Sequence, residues 1–87
     1  MLAMHYVYVL YSRKFNKIYI GYSSNPEQRL EIHNSKENTG WTKTYQPWEI
    51  AFLEEQTDKT TALKREKQLK TSRGRVYVWI KIQEKYG

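Results

Sequence analysis

The sequence contains no cysteine, and this absence excludes disulfide frameworks, zinc clusters and thiol nucleophiles. It is typical of a protein from a reducing compartment, so we expect a cytoplasmic location. No apolar run approaches the roughly 18 residues of a membrane-spanning helix, and we expect no membrane association. The first five residues form neither the basic nor the apolar region of a signal peptide, so we expect none.

The positive charge of the chain is concentrated in one segment. The chain has 87 residues, the length of one small domain, which we expect to span residues 1–87. Its formal net charge is +6. Seven basic residues lie in the segment, namely Lys59, Lys64, Arg65, Lys67, Lys70, Arg73 and Arg75. Its one acid is Glu66, and the rest of the chain has eight residues of each sign. Such clustering slightly favours nucleic acid as partner over the alternative, a solvated helix face.

Three segments have the pattern of strands. Tyr6–Tyr11 and Ile18–Ser23 alternate, are rich in β-branched and aromatic residues, and enclose a polar stretch, which predicts a β-hairpin. The third strand is predicted at Glu49–Glu55, with Ile50 and Phe52 on one side and Ala51 and Leu53 on the other. Between hairpin and third strand, residues 35–48 show no periodicity and are predicted to form a long loop.

Two helices follow from capping signals. Asn25 and Pro26 begin a helix that should run to about Asn34, and Asp58 caps a second helix that ends near Lys70 or Thr71. The C-terminal segment is ambiguous. Residues 76–82 alternate like a strand, which the pattern alone favours, yet Val76, Trp79, Ile80 and Gln83 also fit one helical stripe.

One acid lies among apolar positions of the second helix. Ala62, Glu66 and Leu69 follow the spacing of one helix face, so Glu66 should point toward the body of the protein. A carboxylate in that position is costly unless it is paired or binds a metal. A salt bridge to a basic residue of the sheet or first helix is an equally good explanation.

Polar residues of the hairpin and first helix are further candidates. Arg29 and His33 are four residues apart and share a helix face, where they suit phosphate binding and proton transfer, although an incidental pair is the simpler interpretation. Tyr8 and Tyr19 share a sheet face if the register allows, and Gly21 leaves room for a ligand backbone. Tyrosine is common in strands, and the chain has eight.

Taken in order, these pieces resemble the GIY-YIG nuclease superfamily. The resemblance rests on Tyr6-Val7-Tyr8, on Tyr19-Ile20-Gly21 eleven residues after Tyr8, on Arg29 and His33, and on the run from Ala62 to Lys70. It covers almost the whole chain, from Tyr6 to about Ile82. The chain is most similar to small stand-alone members akin to the N-terminal module of the bacterial excision-repair incision nuclease.

The resemblance implies an α+β fold, a three-stranded antiparallel sheet flanked by helices, with a helix at the C-terminus. It implies a metal-dependent endonuclease on DNA, in repair or recombination, with RNA not excluded. Glu66 would be the only carboxylate on Mg²⁺ (or Mn²⁺). Tyr8 would position or deprotonate water, with His33 as competing base; Tyr19 would orient water or phosphate, and Arg29 would stabilise developing charge. Expected nucleic-acid contacts are Gly21, Lys64, Arg65, Lys67, Lys70, Arg73 and Arg75.

The chain departs from the family pattern at two points. Its first motif reads Tyr-Val-Tyr in place of Gly-Ile-Tyr, and the asparagine that many members carry after the glutamate is missing. The missing asparagine favours an alternative, a nucleic-acid-binding module without catalysis that stacks bases on Trp41, Tyr45 and Trp48. A structural or protein-binding domain with aromatic core residues is a weaker alternative. The sequence does not specify an oligomeric state.

Overall fold

The structure, a computed structural model, describes residues 4–87 and has an α+β fold. Within these residues, three strands, three α-helices and one 3-10 helix follow one another: β1 (His5–Ser12), β2 (Lys17–Ser23), α1 (Pro26–His33), the 3-10 helix (Trp41–Tyr45), β3 (Glu49–Gln56), α2 (Lys59–Leu69) and α3 (Ser72–Tyr86). The predicted fold class is confirmed. None of the helices within residues 4–87 is long and apolar enough to cross a membrane.

The strands form one antiparallel sheet in the order β2-β1-β3. β1 and β2 are the predicted hairpin, and Asn16 in its turn takes a positive φ of 54°. Tyr8 pairs with Gly21 and Leu10 pairs with Tyr19. Because side chains alternate along a strand, this register places Tyr8 and Tyr19 on the same face. The prediction that the two tyrosines share a face is confirmed.

Apolar residues are buried on both faces of the sheet. On one face, Val7, Val9 and Ile20 pack with residues of α2 and α3, among them Leu69 and Val78. On the other face, Tyr8 and Leu10 pack with Trp48, and α1 contributes Leu30 to this second cluster. The hairpin is therefore held from both sides, which limits the movement of the tyrosines that it carries.

The predicted side-chain alternation of β3 is wrong. Val9 pairs with Phe52 but Leu10 pairs with Ile50, so Ala51 is an extra residue at an irregularity of the ladder. Such a bulge reverses the alternation beyond it. Ala51 and Phe52 consequently both pack toward the α2–α3 side, whereas Ile50 packs on the side of Trp48.

The helix caps are the predicted ones. The Asn25 side chain accepts a hydrogen bond from the Gln28 backbone N–H at 3.2 Å, and Asp58 accepts one from Thr61 at 2.8 Å. These bonds satisfy backbone donors that have no partner within the helix.

The C-terminal segment is helical, as the family resemblance implied, and the strand pattern of residues 76–82 is misleading. The helix buries Val78 and Ile82, which are four residues apart. The predicted helical stripe is wrong at Val76 and Ile80, which are 59% and 54% exposed. The apolar residues of this helix lie on more than one face, so periodicity could not identify the buried one.

Candidate active site

A cleft of about 480 Å³ brings together residues from two strands and two helices. Five of its lining residues are the ones predicted to be catalytic: Tyr8, Tyr19, Arg29, His33 and Glu66. Gly21 lines the same cleft. These residues are spread along the sequence from Tyr8 to Glu66, and the fold alone brings them together.

The cleft has further lining residues that the sequence did not single out: His5, Tyr22, Ser23, Ser24, Ile32 and Lys59. Lys59 had a detectable signal, because it lies seven residues before Glu66 and therefore on the same face of α2. Ser23, the last residue of β2, and Ser24, which precedes the helix cap Asn25, had no comparable signal in the sequence. His5 lies at the first residue of β1, and nothing in its sequence context relates it to the others.

The Tyr8 side chain is buried beneath the cleft, with 3% of the residue exposed. Its ring lies over Gly21, where a methyl group would be 2.5 Å from the hydroxyl oxygen. Gly21 was predicted to leave room for a ligand backbone, but the space beside it is occupied by Tyr8. Its small size therefore matters first for the seating of that ring.

The environment of Tyr8 keeps its hydroxyl protonated. Burial raises the pKa of Tyr8 well above its ordinary value, and neighbouring Tyr19 and Glu66 act in the same direction. Arg29 lowers this pKa, with an effect smaller than those of burial and Tyr19 but larger than that of Glu66. A phenol that stays neutral can donate a hydrogen bond. It can give up its proton only if it receives another proton at the same time.

His33 lies between Tyr8 and the loop that follows α1. Its Nε2 is 3.4 Å from the Tyr8 hydroxyl oxygen, and its Nδ1 is 2.9 Å from Thr42 Oγ1. Burial lowers the pKa of His33, and the positive charge of Arg29 lowers it further. The imidazole is consequently neutral at pH 7 and has a nitrogen available to accept a proton.

The loop residues that hold His33 were missed by the sequence analysis. Asn38 Nδ2 donates to Thr42 Oγ1 at 2.7 Å, and Gln46 Nε2 donates to the His33 carbonyl at 2.8 Å. The Trp48 indole N–H donates to the Thr42 carbonyl at 2.8 Å. The long loop is thus hydrogen-bonded around the histidine. Its polar residues gave no periodic signal, because such contacts depend on the tertiary fold.

Tyr19 and Arg29 complete the wall of the cleft on this side. The Tyr19 ring lies 4.5 Å from the His33 ring and 6.2 Å from the Tyr8 ring, centroid to centroid. Arg29 is exposed on α1, and within residues 4–87 its guanidinium has no ion pair. The predicted Arg29 and His33 pair therefore does lie in one cleft, and both side chains face its open space.

Glu66 is the carboxylate that lines the cleft on α2. Ala62 and Leu69 on the same helix are buried, as the stripe predicted, and only 14% of the Glu66 side chain is exposed. One carboxylate oxygen accepts a hydrogen bond from Lys70 Nζ at 3.0 Å. Its salt bridge is thus to its own helix and not to the sheet or α1.

Residues 4–77 match the family model described as the GIY-YIG catalytic domain. The chain belongs to the GIY-YIG family. Its membership indicates a nuclease-type function with nucleic acid as substrate. The residues that the family motifs pointed to are those that the fold brings together.

Curated relatives of similar length share this GIY-YIG region. A UPF0213 protein of Staphylococcus haemolyticus is 37% identical over 70 residues, which cover 80% of this chain and 84% of the relative. A UPF0213 protein of Natronomonas pharaonis is 37% identical over 71 residues, 82% of each chain. One of Oceanobacillus iheyensis is 32% identical over 70 residues, 80% of each chain. No solved structure matches the chain.

The carboxylate of Glu66 in this GIY-YIG cleft fits a hard divalent cation held by few protein ligands. Within residues 4–87, no three His, Cys, Asp or Glu side chains are grouped closely enough to hold a metal ion. Mg²⁺ keeps most of its waters and uses one or two carboxylates together with substrate phosphates. Glu66 alone satisfies that requirement through the oxygen that Lys70 does not occupy.

The basic segment does not form one patch in this GIY-YIG domain. Arg65 donates two hydrogen bonds to Glu54 on β3, at 2.6 Å and 3.0 Å. Arg73 lines a surface cavity with Arg65, away from the cleft. Lys64 and Lys67 are exposed outside the cleft, whereas Lys59 lines it. The remaining two, Lys70 and Arg75, lie together in a neighbouring groove.

Proposed function

We propose that the protein is a metal-dependent endonuclease that hydrolyses phosphodiester bonds of DNA, in repair or recombination. The observation that supports this most is the single cleft in which a neutral histidine, a buried tyrosine hydroxyl and one carboxylate meet. The 3.4 Å separation of Tyr8 Oη and His33 Nε2 places a proton donor and a proton acceptor side by side.

In this proposal His33 is the general base and Tyr8 relays the proton. Thr42 Oγ1 has two lone pairs, so it can accept from Asn38 and also from His33 Nδ1–H. That arrangement leaves Nε2 unprotonated toward Tyr8. The attacking water gives its proton to the Tyr8 oxygen while the Tyr8 hydroxyl proton passes to His33. The hydroxyl itself stays neutral, in agreement with the raised pKa of Tyr8.

Arg29 and Tyr19 act on the phosphate. Arg29 lines the cleft and has no ion pair within the part of the chain that the structure describes, so its charge can stabilise the negative charge that develops on the phosphoryl oxygens. Tyr19 packs against His33 and orients the water or a phosphate oxygen with its hydroxyl. The P–O3′ bond breaks, and the products carry a 5′-phosphate and a 3′-hydroxyl.

Glu66 would hold the metal, Mg²⁺ or Mn²⁺. When bound, such an ion supplies Lewis-acid stabilisation of the charged phosphoryl group and the leaving oxygen. Lys70 already donates a hydrogen bond to one carboxylate oxygen of Glu66, so its positive charge partly offsets the negative charge that would attract the metal. If Glu66 held a cation, the ammonium group of Lys70 would be available to pair with a substrate phosphate.

The test is cleavage of single-stranded, nicked and branched DNA with Mg²⁺ by the wild-type protein and by Glu66→Gln. The amide keeps the size of the side chain but lacks the charge that a cation needs. We expect a loss of at least about a hundredfold in kcat/KM, the usual scale for one electrostatic group of an active site. Glu84→Gln on the exposed face of α3 is the matched control and should cleave like wild type. Equal cleavage by the wild type and Glu66→Gln overturns the proposal.

A binding module without catalysis is the second candidate. The observation that favours it is the Glu66–Lys70 pair, because it neutralises the carboxylate that a metal site would use. This function predicts binding to nucleic acid that depends on salt, needs no Mg²⁺ and survives Glu66→Gln unchanged. Binding without any cleavage in the same assay would select it.

A further inference from the structure

A second groove lies beside the catalytic cleft. It has a volume of about 350 Å³ and six lining residues: Ile18, Tyr19, Ile20, Trp41, Lys70 and Arg75. Two of them connect it to the cleft. Tyr19 lines both cavities, and Lys70 bonds the carboxylate of Glu66. The groove therefore borders the cleft, and a polymer bound across the cleft comes close to it.

Trp41 offers a flat apolar surface in the groove. It is 52% exposed although it is among the largest apolar side chains of the protein. Its indole ring packs on Tyr45 and Trp48, at centroid distances of 4.8 Å and 5.9 Å. Trp48 is itself buried and hydrogen-bonded through both its indole and its backbone. The exposed ring is thus held in place, which lowers the entropy cost of binding to it.

The groove also contains cationic groups. Arg75 Nε donates to the Lys70 carbonyl at 3.3 Å, which places the guanidinium at the end of α2. Within residues 4–87, Arg75 forms no ion pair, so its charge is available to a phosphate. An exposed indole beside an unneutralised arginine is the chemistry that nucleic-acid proteins use for unpaired nucleotides.

We propose that this groove binds an unpaired nucleotide next to the phosphate in the cleft, with its base stacked on Trp41 and its phosphate on Arg75. The inference rests on the proposed function in that the cleft is taken to hold the neighbouring phosphate. Inside a duplex, both faces of a base are covered by the neighbouring base pairs, so a base can stack on Trp41 only where it has left the duplex. The substrate therefore has a single-stranded or frayed nucleotide beside the bond that is cut.

The test is a binding measurement that needs no cleavage. Glu66→Gln protein without Mg²⁺ is titrated with fluorescein-labelled single-stranded oligonucleotides in which one abasic site is moved along the chain. We expect an abasic site at one position to weaken binding about five- to 150-fold, the range for loss of one stacked base. Adding Trp41→Ala should weaken binding of the intact oligonucleotide by a similar factor and abolish the effect of that abasic site. Trp41→Phe should retain part of the affinity and part of the abasic effect.

The controls separate stacking from damage to the fold. Tyr77→Ala removes an aromatic ring of α3 that is 41% exposed and lies outside this groove, and it should leave binding unchanged. Circular dichroism reports whether each variant is folded. If Trp41→Ala does not fold, the proposal is tested by the abasic series alone, measured on the Glu66→Gln protein with and without Trp41→Phe. The proposal is overturned by an abasic effect that is equal at all positions, by none at all, or by equal affinity for blunt duplex and single strand.

The outcome separates this inference from the proposed function. If the abasic effect depends on position but the protein cleaves no DNA, the proposed binding groove is supported and the proposed nuclease function is rejected. If the wild type cleaves DNA but neither the abasic site nor Trp41→Ala affects binding, the nuclease function is supported and the binding groove is rejected. DNA and RNA oligonucleotides are tested in parallel, and dependence on Trp41 with either sugar supports the proposal.

Discussion

Tyr8 and His33 show how individual side chains of the cleft obtain their protonation states from their surroundings. Burial disfavours the charged form of each group, so it raises the pKa of Tyr8 and lowers the pKa of His33. Both side chains are therefore neutral at pH 7, one as a donor and the other as an acceptor. The Tyr8 hydroxyl oxygen and His33 Nε2 are 3.4 Å apart, which suits proton transfer between them. Because both groups are neutral before the transfer, the protein does not need to bury a charge that water would stabilise better.

The first prediction concerns Arg29, whose charge lowers the pKa of His33 after the larger effect of burial. In the proposed mechanism, protonation of His33 abolishes the base, so kcat/KM should fall as the pH drops through a pKa below the ordinary 6.5. Arg29→Gln removes one cause of this lowering, so the acid limb should move to higher pH. Its maximal rate should also fall, because a charge on the phosphate side is lost.

The measurement is the pH profile of kcat/KM together with the NMR titration of His33 in the free protein. The titration works even where the variant is too slow to assay. Arg29→Lys keeps the charge and should leave the pKa of His33 close to that of the wild type. A His33 pKa that stays the same or drops in Arg29→Gln would contradict the assignment of the electrostatic cause.

At the scale of the elements, the close contact of α2 and α3 determines where Glu66 and Arg75 lie. Gly74 in the first turn of α3 lies against the end of α2, and a methyl group there would overlap the Gln68 carbonyl oxygen. It would also lie 2.5 Å from Leu69 Cα. These are backbone atoms, which cannot move aside without shifting a helix.

Gly74→Ala is therefore expected to lower the free energy of unfolding by about 1–3 kcal/mol, the usual cost of overpacking. The expected direction is opposite to the gain that alanine normally brings inside a helix. Gly40→Ala is the control, because a methyl group there has only Asn38 Oδ1 nearby, at 3.4 Å, and its φ is an ordinary −86°. Urea denaturation followed by circular dichroism measures both. A Gly74→Ala protein as stable as Gly40→Ala would disprove the close contact.

At the scale of the whole molecule, the basic segment divides among several surfaces. Lys59 lines the cleft, whereas Arg65 is paired with Glu54 and lies near the Tyr77 ring. The net charge of +6 therefore overstates the charge that one bound strand meets. Partial neutralisation by Glu54 leaves Arg65 little charge to contribute to phosphate binding.

Lys59→Gln and Arg65→Gln should consequently differ in salt dependence. For a single-stranded oligonucleotide, we expect Lys59→Gln to reduce the slope of log K against log salt by about 0.7, the value for one phosphate contact. Arg65→Gln should change the slope much less. Fluorescence anisotropy at several salt concentrations measures both slopes. Equal reductions would show that Arg65 contacts the strand in spite of Glu54.

Local signals in the sequence were sufficient for most of the secondary structure. Alternation identified the hairpin, and Asn25, Pro26 and Asp58 marked the helix starts, because caps and turns depend on neighbouring residues. Periodicity failed for α3, where apolar residues lie on several faces, and for β3, where one extra residue at Ala51 reversed the pattern. Neither the buried face of α3 nor the extra residue of β3 is determined by the sequence of its own segment, because both depend on the neighbouring elements.

For the site, the sequence by itself determined which residues are chemically capable and the helix face on which Glu66 lies. Only the tertiary structure decided that Tyr8 and His33 are neighbours, that Thr42 and Asn38 hold the imidazole, and that Arg65 is tied to Glu54. The physical reason is range. Helix and strand periodicity act over a few residues, whereas burial and charge pairing depend on atoms that come together only when distant segments pack.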